Sequence, residues 1–522
     1  MPLPMKTGDY RRDYAAYSAA LERARYDYHA GIEPELRLAP LRDRYADLWT
    51  RAAVGDLARA LEESPPQFET ERVALAALLR AAQSGSVEAR AGEVSDELAR
   101  CKASARVEWN GSRLASDDAP DTISAETDPA RRRELAARWF DALRACDDLR
   151  AARLDALREG ARALGYDSYF NFLSGITEAD VESLSASAGD FLERTARVYA
   201  TKLFEWSARN LSAAFAREPV YADSLSFARL AHLDPFFPAR ELRATYDATM
   251  DGLGIRVGRQ SNVRIETTVA EHGGTCAACL ALNPPQDVRL VYRAEGGASH
   301  YQKFFEAAGR TQHFAWVSRD LAARYPELVY APDETTRAGF AFLFADLLTD
   351  ASWLAAHRNV RASESGEIAR SFALVELHRL RLVCARLQQQ RALEQASDAR
   401  SEHLAEAYAT AIEEATNFRA HPSLFLRDLV PDGSHDRLGK SAAHLAPAVY
   451  LRARLFAAAL GEYFRTRHGR RWWSTNKAAD ELIDMWNTGS RYTVEELASL
   501  LDLGELNFGL LADSLNSTLT RE

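Results

Sequence analysis

Helical periodicity constrains this chain more than any other feature of its sequence. Segments such as "YAAYSAALERARYDYHA", "PLRDRYADLWTRAAVGDLARALEES", "VESLSASAGDFLERTARVYATKLFEWSARNLSAAF" and "SEHLAEAYATAIEEATNF" place apolar residues at three- and four-residue steps and are rich in Ala, Leu, Arg and Glu. Such a pattern predicts a mainly all-α fold. In "ITEADVE", Thr177 followed three residues later by Asp180 reads as a helix N-cap signal. Two stretches break the period. "SNVRIETTVAEHGG" and "PPQDVRLVYRAEGG" turn β-branched and alternating between Gly and Pro pairs, which predicts a small sheet at about 263–293. A Ser-, Asp- and Pro-rich stretch, "NGSRLASDDAPDTISAETDPARR", divides an N-terminal helical region, 1–110, from the remainder, 111–522. No repeat period or low-complexity tract is present.

The 522 residues are 47% hydrophobic and 27% charged, the usage of a folded chain able to bury a large core. Acidic and basic residues are interspersed around a net charge of -10, so no basic stripe for nucleic acid is expected. No apolar run approaches the roughly 18 residues of a membrane span, and "MPLPMKTGDYRRDYAAY" lacks the apolar core of a leader. A cytoplasmic protein without a membrane partner is expected. Five cysteines, few and odd in number, do not suit a disulfide framework. Cys276 and Cys279 form a C-x-x-C with His272 four residues before it, which reads either as two small buried thiols or as a redox or metal half-site.

The stretch "GGASHYQKFFEAAGRTQHFAWV", Gly296 to Val317, has the rhythm of a helix that should carry a zinc-binding H-E-x-x-H, yet no histidine occupies either ligand position. Around it, in order, come "LDPFFPARELRATYDATMDGLGIRV", "CLALNPPQDVRLVYRAEGG", "APDETTRAGFAFLFADLLTDASWL" and "VYLRARLFAAALGEYFRTRHGRRWW". From about Tyr17 onward this succession resembles the thimet oligopeptidase and oligoendopeptidase F family of zinc metallopeptidases, particularly its bacterial oligoendopeptidase-like branch. Aligned on Gly309 and on His313-Phe314-Ala315, the resemblance puts Glu306 at the first ligand histidine, Ala307 at the catalytic glutamate and Arg310 at the second histidine. The segment Ala341-Phe342-Leu343-Phe344 sets a second register, in which Ala338 replaces the third ligand, a glutamate. The two former zinc-site helices are placed at about 298–317 and 334–348.

A catalytic zinc needs three protein ligands and an open position for water, and the intervening glutamate takes that water's proton. Arg310 is a permanent cation, Ala307 and Ala338 carry no donor, and Glu306 alone is a weak ligand. No pair among the twelve histidines is spaced four apart, and Glu306 and His313 lie roughly 10 Å apart along a helix axis. Neither a cofactor nor a resident metal is therefore expected. His313 is expected to be packed and hydrogen-bonded, as is usual for a histidine outside a ligand set, with a relocated metal near His300, Glu306 and His313 as the alternative. Glu306 and Arg310, four apart with the acid first, suit an ion pair filling the vacated ligand positions, or else face solvent.

The resemblance implies a two-lobed helical body with a deep channel floored by these two helices, and a small sheet on one wall whose backbone edge pairs with extended peptide. It also implies peptide-contacting histidine and tyrosine residues near the C-terminus, for which "SAAHLAPAVYLRARLF" offers His444 and Tyr450, His444 being equally suited to a core or capping role. Three readings follow. One is a pseudopeptidase that binds a peptide or protein segment or partners an active relative. The second is a peptidase or other hydrolase using a non-standard metal or metal-free site in the same channel. The third is a purely structural protein.

Overall fold

The computed structural model describes residues 7–211, 218–269, 276–396, 398–431 and 447–520. Helices dominate it, as the periodicity predicts. Helix α1 (Thr7–His29) buries Tyr10, Tyr14, Ser18, Glu22, Tyr26 and His29, a face built by steps of three and four residues. Helix α2 (Gly92–Ser104) leads into a hairpin of β1 (Arg106–Trp109) and β2 (Ser112–Ala115), turned at Asn110-Gly111 where both residues take positive φ. This hairpin lies outside the interval where strands are expected from sequence; its two four-residue strands are too short to show a period. Helix α3 (Asp147–Ala163) follows it.

Cys101, in α2, is joined to Cys146, the residue before α3, by a disulfide. The sequence expectation of unpaired cysteines is thus corrected: α2 returns against α3 through the hairpin and brings together two thiols 45 residues apart. In chain-entropy terms, closing a loop of that length stabilises by about 4 kcal/mol, and native strain commonly reduces this. The Cys101→Ser, Cys146→Ser double variant is accordingly expected to lose about 2–4 kcal/mol in chemical unfolding. A variant unfolding at the wild-type midpoint would show that the bond does not form.

Helix α4 (Val181–Asn210) begins after Asp180, whose carboxylate accepts from the Ser183 N–H at 3.0 Å. The cap therefore sits three residues beyond Thr177. Thr177 closes the preceding helix instead, and Glu178 takes the left-handed φ of 52° that ends it.

The sheet consists of β3 (Val263–Thr268), β4 (Ala277–Asn283) and β5 (Asp287–Arg293), in the order β3-β5-β4. β3 runs parallel and β4 antiparallel to β5. One face packs on helix α5 (Ala298–Trp316), with Cys279, Ala281 and Val288 against Phe314 and Ala315. The other face lies under α1, where Tyr26 covers Ala278, Leu280, Leu282 and Val291. Gly296-Gly297 makes the strand-to-helix turn. A Cβ on Gly296 would come within 2.8 Å of the Phe237 carbonyl oxygen, and Gly297 has a φ of 112°.

Helix α5 is buried almost all round and crosses helix α6 (Thr335–Ala345) at Gly309, where a Cβ would lie 2.8 Å from the Phe340 carbonyl oxygen and 2.9 Å from Ala341 Cα. Helices α7 (Ala362–Gln395) and α8 (Pro447–His468) pack around this pair and complete the largest core. No single helix among the described residues is long and apolar enough to cross a membrane.

Candidate functional site

The positions aligned with the family's zinc machinery flank the α5–α6 crossing. Ala307 is buried on α5, and Ala338 on α6 is fully enclosed. Arg310 is buried beside Gly309, and Glu306 is half-buried one turn earlier. Among the described residues no ion pair within 4.0 Å joins Glu306 to Arg310. Burial pushes the Glu306 carboxyl up, while the charges of Arg379, Arg310 and Arg454 pull it down and that of Glu376 pushes it further up. The expected one-to-one pairing is therefore corrected to a shared field, because α7 and α8 bring their own charges to the same place.

Those charges form a buried network. Glu376 on α7 and Arg454 on α8, 3% and 4% exposed, approach to 2.9 Å between Oε1 and Nε, an ion pair without the angle of a hydrogen bond. Arg454 Nη1 donates to Asp346 Oδ1 at 3.0 Å, and its guanidinium lies 4.7 Å from the ring centre of Phe342. Arg379 sits 3.8 Å from Glu376 Oε2 and donates to Gln302 Oε1 at 2.9 Å. Three carboxylates, Glu306, Glu376 and Asp346, thus share one region with three guanidiniums, Arg310, Arg379 and Arg454. Burial, more than any neighbour, holds the Asp346 carboxyl above its usual range.

Tyr450 is 2% exposed and donates to Glu376 Oε1 at 2.8 Å. Burial and then the Glu376 charge push its phenol far up. Its hydroxyl is committed to the network, on the face of α8 toward α7 rather than toward a cleft. His444 lies outside the described residues, as does His272. His313 is packed and neutral: Nε2 lies 3.2 Å from the Gly489 carbonyl oxygen, the ring is 5.3 Å from that of Phe340, and burial depresses its pKa to about 3. His300 Nε2 meets the Arg293 carbonyl oxygen at 2.9 Å. Cys276 and Cys279, unbonded and buried, stand three apart at a strand and so project to opposite faces. Burial raises both thiols, that of Cys279 to about 12.

A catalytic zinc does not fit this donor set. Among the described residues no three His, Cys, Asp or Glu side chains are grouped to hold a metal ion. Of the four aligned positions only Glu306 offers a ligand atom, and it lies among guanidiniums.

The outer edge of β4 borders the same helix face. The Arg293 N–H donates to the Cys276 carbonyl, so Cys276, Ala278 and Leu280 pair toward β5 while Ala277, Cys279 and Ala281 turn their backbone groups outward. No strand lies beyond β4 among the described residues. Ala281 is occupied: its N–H donates to Glu22 Oε2 at 2.9 Å and its carbonyl accepts from the Tyr330 hydroxyl at 3.1 Å. Ala277 and Cys279, recessed beneath the surface, have no outward hydrogen-bond partner among the described residues. The charge of Glu306 reaches Cys276 and that of Arg310 reaches Cys279, placing this edge alongside the former ligand positions.

Comparison with known proteins shows a fold similar to those of solved, mostly helical peptidases. Pz peptidase A, solved with an inhibitor, superposes with a TM-score of 0.68 at 13% identity, over 97% of this chain and 90% of that one. The M32 carboxypeptidase from Deinococcus radiodurans R1 gives 0.62 at 13% identity, over 98% and 97%. Trypanosoma cruzi metallocarboxypeptidase 1 also gives 0.62 at 13% identity, over 98% and 99%. No family model matches the sequence, and no curated protein does either. Carboxypeptidases stand among these neighbours, so the fold supports a metallopeptidase-like body without singling out the oligoendopeptidase F branch.

The buried network escaped the sequence reading. Its signal was present as isolated charges on otherwise apolar helix faces, Glu376 in "FALVELHRL" and Arg454 in "VYLRARLF". A charge at such a position is rarely buried unless paired.

Proposed function

We propose that this chain is a catalytically inactive, metal-free metallopeptidase homologue that binds peptide by strand addition to β4. The outward backbone groups of Ala277 and Cys279, which have no hydrogen-bond partner among the described residues, carry the reading. Recessed backbone donors and acceptors are nearly always satisfied in folded proteins, and an extended peptide supplies both in one geometry. Supporting it, three of the four positions aligned with the ligands and the general base hold Ala307, Arg310 and Ala338, which offer no ligand atom, and the fourth, Glu306, is a single carboxylate among guanidiniums. Pz peptidase A, a body of similar fold, was solved with an inhibitor. A ligand held this way stays uncut.

The test is a synthetic hexapeptide library passed over immobilised protein, with retained peptides read by mass spectrometry. Retention is expected, with no shortened products and less than a tenth of a zinc per chain by elemental analysis (on the order of background). Ala277→Pro removes an N–H that β5 does not use, at the first residue of the strand, where proline is tolerated. It is expected to abolish retention while leaving the melting temperature in place. Equal retention by this variant, or none by the wild type, overturns the reading.

A further inference from the structure

The unpaired edge is short because the protein itself closes its far end. Outward backbone groups recur every second residue, about 6.7 Å along a strand. Ala277 and Cys279 therefore offer two pairing positions, and the next, Ala281, is consumed. Both contacts that consume it are fixed from behind. Glu22 receives Arg25 Nη1 on its other oxygen at 2.6 Å, and the two side chains are 5% and 6% exposed. Tyr330 is held through its own carbonyl, which accepts from the Tyr14 hydroxyl at 2.7 Å. Helix α1 is tied down further along by Tyr26, whose hydroxyl donates to Glu266 Oε2 at 2.8 Å while Arg289 lies over its ring at 4.3 Å. At the start of the helix, Arg11 Nε pairs with Glu327 at 2.7 Å.

Resting on the strand-addition reading above, we propose that Glu22 and Tyr330 act as a stop that makes the site selective for the free N-terminal end of a peptide. Polarity follows from strand pairing. β4 already pairs antiparallel with β5, and antiparallel ladders are the more stable per residue. A peptide laid antiparallel on β4 has its N-terminus at the Ala281 end. There it meets side chains that leave no path for a further paired residue, since Ala281 is fully enclosed. A terminal ammonium ends the chain where the stop requires it, and Glu22 is the carboxylate that faces it, with Arg25 occupying its other oxygen. An acetyl cap adds another peptide unit in the volume that Glu22 and Tyr330 fill. The Glu22 and Tyr330 contacts at Ala281 thus restrict the ligand to a chain end, whereas an ordinary edge strand accepts any extended segment.

Three forms of one hexapeptide library distinguish the outcomes: both ends free, N-acetylated, and C-amidated. The free and C-amidated forms are expected to be retained alike, and the acetylated form at least about tenfold less, a difference of roughly 1.4 kcal/mol. Equal retention of acetylated and free forms, both lost in Ala277→Pro, overturns the stop while the strand-addition reading stands. Retention of none of the three overturns that reading itself. Weakened binding of the amidated form alone overturns the polarity and with it the proposal. Removing the stop with Glu22→Ala, Arg25→Leu and Tyr330→Phe together leaves no buried charge orphaned and is expected to admit acetylated peptides to within about twofold of free ones. Tyr330→Phe alone, which preserves packing and frees only the Ala281 carbonyl, is expected to narrow the difference. No narrowing in either folded variant overturns the assignment of these residues.

Discussion

Glu376→Ala is expected to destabilise the protein by about 3–5 kcal/mol, more than any other single change in the former zinc region. The substitution leaves Arg454 in a site where it is 4% exposed, with only Asp346 as a carboxylate partner, and strips the Tyr450 hydroxyl of its acceptor. Coulomb attraction between buried ions scarcely exceeds the cost of desolvating them, so an intact pair adds little net stability while a broken one costs much. That asymmetry makes a second measurement decisive. Glu376→Leu combined with Arg454→Met replaces the pair by apolar side chains of similar length and is expected to recover part of the loss, Asp346 and the Tyr450 hydroxyl still lacking their partners, giving a coupling of about 1 kcal/mol or more between the sites. Midpoints of urea unfolding provide the numbers. A single variant within about 0.5 kcal/mol of wild type would mean that water reaches Glu376 and that the network is not sealed.

Substituting the four aligned positions, with Glu306→His, Ala307→Glu, Arg310→His and Ala338→Glu, is expected to give a protein that keeps one zinc per chain through dialysis. The substituted residues all lie within three positions of the Gly309 crossing on α5 or of Phe340 on α6, where the two backbones come closest. Residues four apart share a helix face, so the two new imidazoles project together toward the helix carrying the new carboxylate. Zinc at a hundred times its dissociation constant then stabilises the variant by about 2.7 kcal/mol, and chelator removes that increment. Peptide cleavage is expected to stay weak, because the surroundings remain those of a guanidinium network and turnover requires supporting hydrogen bonds as well as ligands. A folded variant without zinc affinity would show that the facing positions of α5 and α6 have diverged from ligand distance.

The helical class, the small sheet and the two helices of the former site were legible because each depends on local pattern: the period of α5 and α6, the alternation of β3 and β5, and the Gly296-Gly297 turn. The side chains at 306, 307, 310 and 338 were equally legible, since a residue's type is a matter of identity rather than geometry. Partnership was not. Glu306 and Arg310 are four apart and look like a pair on an isolated helix, yet Glu306 also feels the charges of Arg379, Glu376 and Arg454, positions that no spacing rule links to 306. The disulfide and the occupation of Ala281 by Glu22 escaped for the same reason, 45 residues separating the first pair and 259 the second. Tyr450 was a candidate peptide contact because the family resemblance implies a tyrosine near the C-terminus; only the neighbouring helix reveals that its hydroxyl donates to Glu376.

Gly309 has a meaning beyond the packing of two helices. In an H-E-x-G-H motif the glycine is customarily read with its chemical neighbours as one signature, yet here it stands without any of them, in contact with the Phe340 carbonyl. The motif is therefore two superimposed inscriptions: one written for a metal, the other for the clearance between two backbones. Erasing the first leaves the second intact, because the clearance is required whether or not an ion is bound. Surveys keyed to histidines will pass over chains of this kind, whereas a query for a small residue at the crossing, followed by an Ala-Phe-Leu-Phe stretch on the opposing helix, would retrieve chains with this crossing whether or not they carry the histidines.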